Sequence, residues 1–286
     1  MKSQSAMEYL MTYGWAILII AIVLAALYSI GIFNPNTFAP KASAGSCEVV
    51  RPSGPGTTSN LGREGTCTNM LPKYVALFDG NDNYITSPIP TNKTVNVSFS
   101  LWYQSDNSNY FAPLFLLSPN GGDNIGYGLY LSDNEFNILE SSIRWIYTSE
   151  YINSSRWYNI IFTISPASGG DVVYSIYLNG KRLYVSGPES PSYRPADEMR
   201  IGNDPGNGDY LEGMMANMQV YNIALSQGQV NALYQEGIGG DPIDLTHLVA
   251  WYQLNGNAND YSGNDYNGNA INVEYSSTWY RTYSAP

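Results

Sequence analysis

From Tyr74 onward apolar and polar positions recur with a period of two, as where Val95, Val97, Phe99, Leu101 and Tyr103 alternate with Asn96, Ser98, Ser100 and Trp102. Successive side chains of an extended strand point to opposite faces, so this run predicts a strand with one face packed and the other meeting solvent. Similar short runs occur at 74–78, 127–131, 157–165, 172–178, 199–202, 218–221 and 249–254. Short strands separated by turn residues predict a sandwich. Asn179-Gly180, between SIYL and KRLYV, predicts a two-residue hairpin turn because both residue types tolerate positive φ. One helix interrupts the pattern: Ser226 is its N-cap, Gln229 completes an S-x-x-Q box, Val230, Leu233 and Tyr234 form the apolar side, and Gly237 stops it.

The first quarter of the chain follows a different pattern. No charged residue occurs from Tyr9 to Pro40, and Gly14 to Phe33 is almost continuously apolar. As a helix that run would be about 30 Å long, the thickness of a bilayer core. A cleaved secretory signal is the alternative, with Met1-Lys2-Ser3 as a polar start and Ala42-Ser43-Ala44 as the nearest small-residue site. Glu8 is informative, since a carboxylate at the lip of an apolar helix costs free energy that a plain anchor avoids. If the chain is cut between Ser3 and Gln4, Glu8 can pair with the new terminal ammonium of a neighbouring helix and set the register between subunits. In an uncleaved anchor it would sit among head groups instead. Gly, Pro, Ser and Thr then dominate residues 34–72, which read as a connector. Cys47 and Cys67 are the only cysteines, and the spacing fits a disulfide formed in an oxidising compartment. Closing a loop of that size stabilises by about 3 kcal/mol. The expected organisation is therefore a leader at 1–3, a transmembrane or filament-core helix at 4–33, a stapled linker at 34–73 and a sandwich at 74–286.

Two resemblances rest on these residues. Gln4-Ser5-Ala6-Met7-Glu8-Tyr9-Leu10, followed by Met11 to Ala16, resembles the class III signal segment of archaeal type IV pilin-like proteins. That likeness implies peptidase cleavage just before Gln4, residence in the membrane before assembly, a homo-oligomer formed through the N-terminal helices, and display at the cell surface. The second covers Tyr74 to Tyr275. Leu77-Phe78-Asp79-Gly80 with Tyr84-Ile85, Phe99 to Trp102, Arg156 to Asn159, Ile176 to Gly180, Met199 to Gly202, Leu211 to Gly213 and Val220 to Ser226 follow in the order of the laminin-G-like, concanavalin A-like family. The fold this implies is an all-β antiparallel jelly roll preceded by one long hydrophobic α-helix. Trp251 to Gly256 with Asn259 to Asn264 is similar to that family's opening strand and loop, which implies a circularly permuted domain.

Charge removes one class of partner. With 13 Lys+Arg against 24 Asp+Glu the net charge is −11, so no nucleic-acid partner is expected. Two Cys and one His are too few soft ligands for a four-coordinate zinc site. There is no E-x-D-x-x-E run, and Glu135 with Glu140, Asp197 with Glu198, and Asp209 with Glu212 lack the one-face strand spacing of a glycosidase pair. The lone His247 reads as a loop hydrogen-bonder, and no enzyme is expected. Oxygen donors cluster at 79–83, 203–209 and 259–265. The laminin-G likeness implies Ca2+ at loop carboxylates, with Asp79 and Asp260 as ligands, while turn capping is the alternative use of the same residues. Asn92, Asn96 and Asn153 head sequons compatible with glycosylation outside the cell. Of the 25 Tyr, Tyr147, Tyr151, Tyr193 and Tyr210 are expected in loops, suited to stacking on a surface glycan, gripping a protein, or packing between subunits. The function these readings add up to is a structural and adhesive pilin-like subunit; the alternative is a monomeric, membrane-anchored surface lectin.

Overall fold

The computed structural model describes residues 13–24, 71–89, 96–106, 111–118, 127–140, 144–190, 197–284 and 286. The chain forms two compact units, Met1–Cys67 and Thr68–Pro286. In the first, residues 13–24 form helix α1, with every residue exposed. It lies within the helix expected over 4–33; the rest of that span is outside the described residues, as are Ser3, Gln4, Glu8, Cys47, Cys67 and Asn92. Among the described residues no helix is long and apolar enough to cross a membrane.

The second unit is an antiparallel sandwich. Its strands are β1 (Val75–Asp79), β2 (Tyr84–Ser87), β3 (Val97–Ser105), β4 (Ala112–Ser118), β5 (Tyr127–Ser132), β6 (Glu135–Glu140), β7 (Arg144–Tyr151), β8 (Trp157–Pro166), β9 (Val172–Leu178) and β10 (Lys181–Val185). They are followed by β11 (Glu198–Ile201), β12 (Asn203–Asp204), β13 (Asp209–Tyr210), β14 (Glu212–Tyr221), helix α2 (Gln227–Glu236), β15 (Leu248–Tyr252), β16 (Asn269–Ile271) and β17 (Glu274–Ser276). The first sheet runs β10-β9-β8-β3-β14-β1-β17 with β15 also on β14, and the second runs β16-β2-β11-β4-β5-β6-β7. Between them lies the core, where Phe99 stacks on Phe115 at 4.2 Å and also meets Phe162 and Tyr127.

The C-terminal strands complete this one sandwich. β17 pairs with β1, β16 with β2, and β15 with β14. β1 and β15 lie along the same edge of β14, with Ala76 opposite Met215 and Trp251 opposite Gln219. The backbone N–H of Tyr74 donates to Asn255 Oδ1 at 2.9 Å, tying the two ends together.

The hairpin and the helix form where their local chemistry demands. Asn179 and Gly180 have φ of 50° and 79° between β9 and β10. Helix α2 carries the reciprocal capping box, with Ser226 N–H donating to Gln229 Oε1 at 3.0 Å, and Gly237 ends it at a φ of 79°. Val230 and Leu233 of α2 pack on Ile161, Tyr177, Tyr221, Leu248 and Trp251, the outer face of the first sheet. Each such burial contributes about 1.5–3 kcal/mol over leaving the side chain in water.

This covering corrects one expectation. Ser98, Ser100 and Trp102 do not meet solvent, because α2 and the C-terminal turn lie over the first sheet and leave β3 buried along its whole length. Its polar side chains are satisfied inside; Ser98 Oγ, for example, accepts from Leu225 N and donates to Ile223 O.

Candidate functional site

The outer face of the second sheet is built by register. Gly128 stands opposite both Leu116 and Leu139, Leu139 opposite Trp145, and Arg200 opposite Leu116. The next row outward is Pro113, Tyr130, Asn137 and Tyr147. A third is Ser132, Glu135 and Tyr151. The alternation of strand residues sends their neighbours Phe115, Leu129, Ile138 and Ile146 into the core.

On these rows sits an aromatic shelf. Phe111 stacks on Tyr130 at 5.1 Å, and Trp145 meets both rings edge-on at 4.7 and 4.8 Å. Gly128 makes room for it: a Cβ there would lie 3.1 Å from Tyr130 Cε2 and 2.5 Å from the Phe115 carbonyl oxygen. Tyr130 is fully buried, Trp145 half-buried, and Tyr147 at the edge strand 68% exposed. The shelf therefore grades from a fixed floor to an open rim.

A polar border flanks the shelf. The β12–β13 turn brings in Asp204, fully buried, which accepts from Tyr130 OH at 3.0 Å, Asn207 Nδ2 at 3.2 Å and Gly206 N at 3.0 Å. Burial, and then the Asp204 carboxylate beside it, pushes the Tyr130 hydroxyl well above the ordinary tyrosine range. The same two causes raise the Asp209 carboxyl. Arg200 donates to Asn203 Oδ1 at 3.0 Å, pairs with Glu198 at 2.6 Å and lies over the Tyr84 ring. At the other end Glu135 accepts from Ser149 N and Tyr151 OH. An aromatic surface with hydrogen-bonding groups along its margin can hold a flat, polyhydroxylated ligand through ring contacts and directed polar bonds.

Comparison with known proteins agrees with this architecture. The model of the concanavalin A-like lectin/glucanases superfamily matches residues 79–231, just over half of the 286-residue chain. The chain belongs to that superfamily. Among solved structures, a candidate carbohydrate binding protein from Bacteroides ovatus superposes with a TM-score of 0.53 at 15% identity, over 72% of this chain. The chain spans 60% of that structure's length. A heptameric SAP-like pentraxin from Limulus polyphemus superposes with a TM-score of 0.45 at 17% identity, over 56% of this chain and 81% of its own. At these identities the likeness is one of fold. No curated protein matches the sequence.

In this superfamily member the expected site residues are dispersed. Asp79 closes the β1–β2 turn, its Oδ1 accepting from Asn81 N at 3.0 Å. Asp260 clamps the loop after β15: Oδ1 accepts from Trp251 N and Ser262 N, and Oδ2 from Ser262 Oγ and Tyr266 N, at 2.8–3.0 Å. Those four donors fill the acceptor positions of the carboxylate, so this donor set does not fit a calcium ion. Among the described residues no group of three or more His, Cys, Asp or Glu is arranged to hold a metal. Asn96 is exposed, and its Oδ1 accepts from Ala224 N at 2.7 Å. Asn153 is also exposed, with its Nδ2 3.4 Å from Tyr158 OH. His247 Nδ1 lies 2.9 Å from Asp244 Oδ2, whose carboxyl is held below its ordinary range first by that bond.

The tyrosines expected in loops need correcting. Tyr147 and Tyr151 are on β7 and Tyr210 on β13; Tyr193 is outside the described residues. Phe111, Tyr130 and Trp145 are not singled out by sequence, and Asp204 enters there only as an oxygen donor of the 203–209 cluster. The alternation through Tyr127 to Leu131 was their one local signal, since it sets Tyr130 opposite to Leu129 and Leu131.

Proposed function

We propose that the sandwich is a glycan-binding, non-catalytic module, displayed at the cell surface by the apolar N-terminal segment, and that the subunit is structural and adhesive in the manner of a type IV pilin. The observation that carries the binding reading is the shelf: three mutually packed aromatics rising to the exposed Tyr147 and Tyr151, with Asn137, Glu135 and Arg200 on the same face. The superfamily's lectin members and the fold likeness to a candidate carbohydrate binding protein support the same ligand class. The filament reading rests on Gln4 to Ala16 and on Glu8 alone. A bound saccharide would lay a ring against Trp145 and Tyr147 while Glu135 takes its hydroxyls; no bond is broken.

A glycan array probed with the full chain in detergent tests the module, followed by titration of the best glycan against Trp145→Ala and Tyr147→Ala. Loss of at least tenfold in affinity is expected from each, with an unchanged melting midpoint in Tyr147→Ala, whose side chain is exposed. Binding that survives both substitutions, or no glycan bound, would overturn the reading. Mass spectrometry of the N-terminal peptide from sheared surface material tests assembly: a start at Gln4 is expected, and a start at Met1 favours the anchored monomer.

A further inference from the structure

A second site lies on the opposite sheet, outside the shelf. A pocket of about 330 Å³ has Trp102, Arg156, Trp157, Asn179, Tyr234 and Thr282 among its lining residues. That volume sits at the low end of small-ligand sites, roughly 300–1,000 Å³. Three parts of the chain meet there. Trp102 and Trp157 come from neighbouring strands of the first sheet, Tyr234 from the last turn of α2, and Thr282 from the C-terminal segment.

The lining residues are fixed by contacts with one another and with neighbours. Trp102 stacks on Tyr234 at 6.0 Å and meets Tyr283 edge-on at 5.5 Å. Trp157 donates through Nε1 to the Trp279 carbonyl at 3.3 Å, and Trp279 in turn donates to the Pro72 carbonyl at 3.1 Å. Thr282 donates to Gln104 Oε1 at 2.6 Å. Gly180 lets the hairpin approach, since a Cβ there would sit 3.1 Å from the Tyr234 ring.

Arg156 gives the pocket its chemistry. It is exposed, and among the described residues its guanidinium makes no ion pair or hydrogen bond. The chain has 24 acidic against 13 basic side chains, so carboxylate partners are in excess, yet this arginine takes none of them. A planar guanidinium matches a carboxylate with two parallel hydrogen bonds, the half-buried Tyr234 ring adds apolar contact for a sugar ring, and Asn179 and Thr282 supply polar contacts for hydroxyls.

We propose that this pocket binds the carboxylate-bearing ring of an acidic saccharide, a uronic acid or its like, with Arg156 as the carboxylate receptor. The ligand class rests on the carbohydrate-binding reading given above; the place and the charge requirement do not. A hexuronate is favoured over an acidic peptide because the lining holds a single cation, which suits one ring carrying one charge.

The test uses the full chain in detergent, titrated with methyl β-D-glucuronide and with methyl β-D-glucoside, which differ at the carboxylate. The indole N–H signals of Trp102 and Trp157 in 15N spectra report occupancy. The glucuronide is expected to shift them saturably, with at least tenfold weaker binding for the glucoside and for Arg156→Gln, and partial recovery in Arg156→Lys. Trp145→Ala should leave this titration unchanged, so failure of the shelf is separable from failure of the pocket. Equal binding of the two glycosides, an unaffected Arg156→Gln, absence of any saturable shift, or tighter binding of acetyl-Gly-Asp than of the glucuronide would each overturn the proposal.

Discussion

The hydroxyl of Tyr130 donates across 3.0 Å to the fully buried carboxylate of Asp204, which joins the centre of the aromatic shelf to the β12–β13 turn at its border. A ring and an anion on separate elements thus become one rigid unit. Tyr130→Phe keeps the ring and removes one of the donors that Asp204 requires. A buried acceptor left short of a donor costs about 1–3 kcal/mol. The urea midpoint should fall accordingly, and glycan affinity should fall with it; an unchanged midpoint would mean that water replaces the hydroxyl without cost.

Gly128 tests whether the shelf depends on a missing side chain. In Gly128→Ala the new Cβ meets the Phe115 carbonyl at 2.5 Å, a backbone atom that cannot rotate away. β4 and β5 must part, and overpacking of this kind costs about 1–3 kcal/mol. Gly187→Ala is the control, with nothing within 4 Å of its Cβ. Thermal denaturation of the pair should separate them by several degrees, and equal midpoints would refute the packing argument.

On the other sheet a buried polar network depends on Asn217. Its Oδ1 accepts from Trp251 Nε1 at 2.8 Å and Gln219 Nε2 at 3.0 Å, and its Nδ2 donates to the Gly240 carbonyl at 2.8 Å. The residue also takes a φ of 50°, at the register shift between β14 and β3 and between the stretches of β14 that pair with β1 and with β15. Asn217→Ala removes all three bonds and strains the backbone, with an expected loss of about 3 kcal/mol. Because Trp251 is one of the partners, Asn217→Ala with Trp251→Phe should cost less than the two changes summed, which a double-mutant cycle in urea reads directly.

Local chemistry made part of this architecture legible. The Asn179-Gly180 turn, the Ser226–Gln229 box and the alternation through β3 are each decided within a few residues. β4 and β6 escape such reading because both are buried on nearly every residue, so APLFLLS and FNILE carry no alternation. β7 is broken by Ser149 at a φ of 58°, which makes Tyr147 and Tyr151 look like loop residues. The shelf is less legible still. Phe111, Tyr130 and Trp145 belong to three separate segments, and only cross-strand register brings them together. The pocket around Arg156 depends on α2 and the C-terminal segment folding over the first sheet, which no motif announces.

Glu140 gives the sandwich a pH dependence with a definite sign. It is fully buried at the end of β6, 3.1 Å from Arg144 Nε, and Arg144 also pairs with Glu189. Burial pushes its carboxyl above the ordinary 4.5, more than the Arg144 guanidinium pulls it down. The folded state therefore holds this proton more tightly than the unfolded chain does. Its contribution to stability is full below about 4.5 and is lost as pH rises through the raised folded value. Glu140→Gln carries no such proton, so relative to the parent its stability should improve as pH rises from about 4.5 through the raised folded value and then level off. Melting midpoints of both proteins across that range check the claim. A difference that stays flat, or moves in the parent's favour, would mean that the ion pair with Arg144 outweighs burial at this end of the sandwich.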